Sequence, residues 1–185
     1  IKPDVGVITN ISYAHAKNFK NLKQIALAKS EIINNITKGG SIVLNADDRF
    51  YKFHQKMALR QKLKVYSFSI NKKNTTVRLN SIKKKKSKFK IIININNQKK
   101  HFFISSNFEN NLKNLLAAIT VISIFKDIKT LNKNIFYNYQ IPYGRGDLSK
   151  IKINRKNILL IDESYNSNPL SLKSSINNFD LIDSK

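Results

Sequence analysis

The sequence predicts an α/β fold, a mostly parallel sheet flanked by helices with an antiparallel meander appended to it. Three observations carry that reading. First, β-branched runs alternate with segments of helical period over Val5–Thr9, Leu22–Thr37, Ser41–Leu44, Arg49–Arg60 and Lys64–Ser69, and this βαβ rhythm builds a parallel sheet. Second, Val77–Ile82, Phe89–Asn96 and Lys100–Ile104 follow with short polar linkers, too short for crossover helices and suited to antiparallel neighbours. Third, Leu159-Leu160-Ile161 stops at Asp162-Glu163, crosses a loop of Tyr, Ser and Asn, and meets Asn168-Pro169. Asn is a favoured helix N-cap and Pro is shaped for the first helical position, so this stretch reads as strand, polar loop, helix.

Each element has a local reason. Val5–Thr9 is a buried strand followed by the polar loop Asn10 to Asn18, which holds His15. Asn21 with Gln24 starts a helix, and Gly39-Gly40 ends it. Ser41–Leu44 runs into Asn45-Ala46-Asp47-Asp48 before the next helix. Ser106 and Glu109 form a capping box ahead of Leu112, Leu115, Leu116, Ile119, Ile122 and Phe125, an apolar helical face. A further helix is expected within Leu131–Gln140. Pro142-Tyr143-Gly144-Arg145-Gly146-Asp147 breaks the pattern, which places a domain boundary here. Residues 1–147 are then one domain and 148–185 the beginning of another. After Pro169, Leu170, Leu172, Ile176, Phe179 and Ile182 continue a helical pattern.

Composition narrows the function classes. The chain has 185 residues, no Cys and a formal net charge of +23. Without Cys there is neither a disulfide framework nor a thiolate zinc site, which is compatible with a reducing cytoplasm. No apolar run approaches the roughly 20 residues of a membrane-spanning helix. The chain starts at Ile1 inside what reads as folded sequence and stops at Lys185 inside a helical pattern, as a piece of a longer protein would. The cationic excess is nearly all Lys, accompanied by abundant Asn and Ile, residues with AT-rich codons. In the linear sequence the aromatics do not interleave with the basic residues as a stacking platform needs, so no nucleic-acid partner is expected. The five glycines cannot build a phosphate loop, and His15, His54 and His101 lie far apart.

A few residues stand out chemically. On a helical wheel Lys29 falls in the middle of the stripe of Leu22, Ile25, Ala26, Ile32, Ile33 and Ile36. Such a lysine snorkels, finds a carboxylate, or loses its charge and becomes a nucleophile able to form a carbamate, an oxygen ligand for a hard cation. Asn111, Asn114 and Ala118 share a separate helix face, where amides either read an adenine edge or are simply solvated. Arg145 between two glycines either approaches a phosphate or caps a surface turn. The loop after Ile161 is either an ordinary turn or, as strand ends in α/β sheets often are, a ligand site.

Several stretches together resemble one family. Pro3-Asp4-Val5-Gly6-Val7-Ile8-Thr9-Asn10-Ile11 with Ala14-His15 and Phe19, Ile25-Ala26-Leu27-Ala28-Lys29-Ser30-Glu31-Ile32, and Val43-Leu44-Asn45-Ala46-Asp47-Asp48 look like the ATP-dependent Mur ligases of peptidoglycan synthesis. Asn111 and Asn114 before Leu115-Leu116-Ala117-Ala118, Gly144-Arg145, and Asp162-Glu163-Ser164-Tyr165-Asn166-Ser167-Asn168-Pro169 follow in the family's order. The last motif is similar to the Tyr-Asn-Ala-Asn-Pro of the branch that adds D-alanyl-D-alanine. Phe108-Glu109-Asn110-Asn111 departs from the family's Gly-x-His-Asn, Ser167 replaces Ala, and Glu163 stands where a second Asp is common.

The resemblance implies part of a central ATPase domain over residues 1–147 and the start of a Rossmann-like C-terminal domain from 148. The phosphate loop, an acidic metal ligand and a UDP-binding domain would precede Ile1. It implies ATP and magnesium (Mg²⁺) as cofactors, with UDP-N-acetylmuramoyl-tripeptide and D-alanyl-D-alanine joined through an acyl phosphate, in a cytoplasmic monomer. Lys29 as a carbamate and His15 would hold the metal, and Arg145 would assist phosphoryl transfer. Asn111 and Asn114 would lie near the adenine, Asp162 near ribose or phosphates, and Tyr165, Asn166 and Asn168 in the catalytic cleft. Another Mur-type or folylpolyglutamate ligase is the alternative enzyme, and a basic nucleic-acid-binding module the alternative without catalysis.

Overall fold

The computed structural model describes residues 2–13, 19–85, 88–105, 109–139 and 142–165, with Leu172, Lys173 and Ile176. Two compact units emerge, Ile1–Asn138 and Tyr139–Lys185. In the first, β1 (Val5–Ile8), β2 (Ser41–Asn45) and β3 (Lys64–Ser69) pair in parallel, with α1 (Leu22–Asn35) and α2 (Tyr51–Arg60) between them. Then β4 (Val77–Lys85), β5 (Lys88–Ile95) and β6 (Gln98–Ile104) form the expected antiparallel meander. It joins the parallel part through Phe68 opposite Val77 and Ser69 opposite Arg78. The result is one sheet in the order β1-β2-β3-β4-β5-β6.

The helices take opposite faces because adjacent strand residues point opposite ways. Ile42 and Leu44 of β2 face α1 and α2, in a core with Ile25, Ala26, Ile33 and Ala58. Val43 faces α3 (Glu109–Phe125), in a core where Leu112, Leu116 and Ile119 meet Phe68, Ile91, Ile93 and Phe102. At the foot of α1 the chain must pass close to β1, and this needs a glycine. A Cβ on Gly40 would lie 2.7 Å from the Asp4 carbonyl oxygen and 2.6 Å from Ile36 Cγ2.

The N-terminal cap of α1 acts as predicted with one change, whereas its end does not: the helix closes at Asn35 with Ile36 as an extended C-cap, ahead of Gly39-Gly40. Asn21 Oδ1 accepts the Gln24 amide at 3.0 Å, but Gln24 Oε1 reaches past the cap to the Lys20 amide at 2.7 Å. Ser106 of the second capping box lies outside the described residues. No α-helix forms over the described part of Leu131–Gln140. A short 3₁₀ turn, Ile128–Thr130, leads into successive turns instead. Asn132 Oδ1 captures the Asn134 amide at 2.9 Å, and the Ile135 and Tyr137 amides bond back only three residues. Asn side chains compete with the helical ladder in this way.

In the second unit β7 (Asp147–Ile153) and β8 (Lys156–Asp162) form an antiparallel hairpin. The strand reading at Leu159-Leu160-Ile161 holds, but its neighbour β7 has no counterpart in the sequence reading. The turn is Asn154-Arg155, both with positive φ (49° and 65°), the two-residue connection whose twist suits a hairpin.

Candidate functional site

The ends of β1, β2 and β3 meet in a network of side-chain clamps. Asn45, the last residue of β2, donates from Nδ2 to the Thr9 carbonyl at 2.9 Å and accepts the Asp47 amide at 2.9 Å. Asp48 accepts the Ile11 amide at 2.7 Å with one oxygen and the Phe50 amide at 2.8 Å with the other. Asp47 accepts the Ser69 hydroxyl at 2.6 Å and the Ile70 amide at 2.7 Å. Lys72 Nζ donates to the Ala46 carbonyl and stands 5.9 Å from the Tyr51 ring centre. These residues fix three strand exits to one another. Local pattern assigns Asn45-Ala46-Asp47-Asp48 no such role. Its signal was polar and acidic residues directly after an apolar run.

Lys29 reaches this edge. Its Nζ donates to the Asn10 carbonyl at 2.9 Å, just beyond the end of β1. The side chain is exposed while Ile25, Ala26, Ser30 and Ile33 are buried, although Lys29 shares the azimuth of the apolar stripe. A helical wheel gives azimuth and not height. Lys29 has the azimuth of the stripe, but at its level β1 has ended and the chain has turned into the loop after Ile8. Of the three fates open to it, the stem packs and the ammonium emerges. Ligands of α/β proteins gather at this carboxyl edge of the sheet, so the amine stands where an anionic ligand or dissolved carbon dioxide can reach it.

Asn111 is half-buried, and Asn114 and Ala118 are exposed along one face of α3. His15 lies outside the described residues, and so do Asn166 and Asn168. Among the described residues no group of three or more His, Cys, Asp or Glu is placed to hold a metal ion. The two carboxylates nearest Lys29's edge, Asp47 and Asp48, already spend their oxygens on the clamps. Lys29 Nζ, exposed and bonded to the Asn10 carbonyl, would offer a hard cation oxygen ligands only after conversion to a carbamate.

The second unit brings Arg145, Asp162 and Tyr165 together. The Gly146 amide donates to the Asp162 carbonyl at 2.6 Å and the Tyr165 amide to the Gly144 carbonyl at 3.0 Å, so Gly144-Arg145-Gly146 runs alongside the end of β8. The Arg145 guanidinium stacks 4.2 Å from the Tyr165 ring centre, a favourable cation–π placement that holds an exposed arginine in one orientation. Gly144 is required there. Its φ is +71°, and a Cβ would sit 2.9 Å from the Tyr165 amide nitrogen. The Asp162 carboxyl is held below its ordinary range by the Ser164 hydroxyl and by the Ser164 amide, which it accepts at 2.9 Å.

With this geometry in hand, the comparisons agree with one another. The family model for the Mur ligase middle domain matches residues 1–122. The UDP-N-acetylmuramoyl-tripeptide–D-alanyl-D-alanine ligase of Buchnera aphidicola subsp. Baizongia pistaciae is 30% identical over 172 residues, covering 92% of this chain and 36% of that enzyme. The enzyme of the same name from Rickettsia prowazekii is 29% identical, over 95% of this chain and 38% of its own length. In structure, the MurF ligase of Thermotoga maritima, solved in complex with ADP, superposes with a TM-score of 0.78 at 22% identity, over 95% of this chain and 38% of that one. The chain thus spans a little over a third of the length of the relatives it matches. A family model covering residues 1–122, on a six-stranded mixed sheet flanked by helices, establishes that the chain belongs to the Mur ligase family.

Proposed function

We propose that this chain is part of an ATP-dependent ligase of peptidoglycan precursor synthesis that adds D-alanyl-D-alanine to UDP-N-acetylmuramoyl-tripeptide. The observation that carries the proposal is that relatives bearing that name align over more than nine tenths of the chain, together with the motif from Tyr165 to Pro169. In this reading residues 1–147 belong to the central ATP-binding domain and 148–185 open the C-terminal domain. The protein works as a monomer in the cytoplasm.

The chemistry is carboxylate activation. ATP phosphorylates the terminal carboxylate of the tripeptide, the amine of D-alanyl-D-alanine attacks the acyl phosphate, and amide, ADP and phosphate leave. Lys29, as its carbamate, and His15 would hold Mg²⁺, which would supply charge neutralisation for the transferred phosphoryl group. Asn111 and Asn114 bind along the adenine and Asp162 beside the ribose or phosphates. Arg145 offers a preset, paired-donor guanidinium to a phosphate, with Tyr165 as its platform. Asn166 and Asn168 position the incoming dipeptide, whose correct placement contributes more than any single contact.

The test uses the full-length protein with ATP, magnesium, UDP-N-acetylmuramoyl-tripeptide and labelled D-alanyl-D-alanine. Formation of the labelled pentapeptide product is expected. Incorporation of a single amino acid into an earlier precursor or into folate, in its place, would overturn the substrate assignment. With ¹³C-bicarbonate a carbamate carbon signal is expected that disappears in Lys29→Ala; its absence from the unaltered protein removes Lys29 from the metal site. Asn166→Ala and Asn168→Ala are each expected to slow ligation by about a hundredfold, and near-normal rates would take that loop out of the cleft.

A further inference from the structure

Strand pairing creates a surface that the linear sequence conceals. From Arg49 to Phe108 there is no Asp or Glu, and the whole meander lies inside that stretch. One of its faces, with Ile91, Ile93, Phe102 and Ile104, is buried beneath α3. The opposite face follows from the register. Lys83 stands opposite Lys90 and Lys85 opposite Lys88, while across the next seam Lys90 meets Phe103, Ile92 meets His101 and Asn94 meets Lys99. Among the described residues α1 and α2 pack over β1–β3 and not over β5 or β6. The segment after α3 borders this outer face, the Phe103 amide donating to the Lys133 carbonyl and Lys88 Nζ standing 5.7 Å from the Tyr137 ring centre, and Asn94 is buried. Lys83, Lys85 and Lys99 are exposed, and Lys88, Lys90, Ile92, His101 and Phe103 are half-buried.

The face therefore has cationic ends and an aromatic middle. His101 and Phe103 meet edge-on at 5.8 Å, and Lys88 Nζ lies 4.2 Å from the Phe103 ring centre. His101 is held below the ordinary imidazole range by burial and then by Lys90, Lys133 and Lys100, which favours its uncharged ring. From Lys88 to the level of Lys99 the strands run roughly 20 Å at about 3.3 Å per residue. Biased codon usage supplies lysines anywhere on the surface. It does not explain their meeting aromatic side chains on one sheet face built from a stretch without Asp or Glu.

We infer that this outer face of β4–β6 binds single-stranded nucleic acid, its lysines tracking the phosphodiester backbone and His101 with Phe103 receiving bases. Single-strand platforms combine a cationic groove with aromatic rings on which bases stack, and here the interleaving of the two is made by cross-strand pairing. An anionic membrane surface fits less well, because Ile92 and Phe103 are half-buried and offer little free apolar area for insertion.

The test measures fluorescence anisotropy of a labelled single-stranded oligonucleotide with the full-length protein, from ~50 to ~200 mM salt. Binding that weakens steeply with salt is expected. The combined Lys83→Ala, Lys90→Ala and Lys99→Ala variant is expected to bind about tenfold more weakly or worse, with a salt slope smaller in magnitude by about 2, since each lost phosphate contact removes about 0.7. Phe103→Leu is expected to weaken binding with the salt slope unchanged. Lys52→Ala, Lys56→Ala and Arg60→Ala, which remove the same charge from α2, are expected to leave binding intact. Thermal melts by circular dichroism confirm that each variant is folded. No binding at the lowest salt, equal weakening by the α2 variant, or binding to phosphatidylglycerol vesicles in place of the oligonucleotide overturns the inference.

Discussion

Asp48 joins positions far apart in sequence with a single carboxylate, holding the Ile11 amide at 2.7 Å and the Phe50 amide at 2.8 Å. Bonds to a charged acceptor stabilise more than neutral ones, and a stranded donor carries its own desolvation cost. Asp48→Ala is therefore expected to cost about 2–3 kcal/mol, read as a lower urea midpoint with an unchanged m-value, and Asp48→Asn less. His101 gives the pH dependence. Its folded pKa lies below the unfolded value of about 6.5, so the unfolded chain binds the proton more readily. The contribution is complete above that value and is lost as pH falls through the folded pKa. Melting temperature is expected to drop on acidification below about 6.5, and His101→Phe to remove that part of the drop. For Asp162 the sign concerns a carboxylate held low by Ser164; Ser164→Ala is expected to move its titration, followed by NMR, up toward the ordinary range.

At the scale of the element, the hairpin turns explain how short polar linkers suffice. Asn96 and Asn97 (φ 47° and 67°) close β5–β6, and Asn154 and Arg155 close β7–β8. Asn tolerates this region and Arg does so at a cost of about 1 kcal/mol. Arg155→Gly is thus expected to stabilise the hairpin by roughly 0.5–1 kcal/mol, and Asn97→Val to destabilise the meander by a similar amount. Either result in the opposite direction in a thermal melt refutes the turn assignment. The βαβ rhythm, the cap at Asn21 and the period of α3 were legible because propensity, pattern and packing agree there. The turns at 131–138 were not, because Leu131, Ile135 and Phe136 mimic helical spacing while Asn132 and Asn134 spend their amides and carbonyls locally.

Across the first unit, a single sheet unites the parallel strands with the meander, and Phe68 is the seam. It is fully buried, pairs with Val77, and belongs to the core that also holds Ile91, Phe102 and Leu116. Phe68→Ala is expected to cost about 3–5 kcal/mol, a large share of the roughly 5–15 kcal/mol that keeps a domain folded, and to loosen meander and parallel strands in one cooperative transition by hydrogen exchange. In the candidate site the pairing of β7 with β8 that brings Arg145, Asp162 and Tyr165 together has no local signal, and only the residues themselves, glycines around an arginine and an acidic strand end, were legible. The clamps of Asn45, Asp47 and Asp48 were not, since their partners Thr9, Ile11, Ser69 and Ile70 are distant in sequence.

By itself the sequence determined the alternation of strands and helices, the appended meander and the resemblance to the Mur ligases, since local periodicity and motif order need no long-range information. Only the tertiary structure decided which end of the sheet Lys29 reaches and which lysines share a face with His101 and Phe103. Height along a helix and register between strands are set by packing and hydrogen bonding of distant segments. A wheel or a linear motif does not contain them.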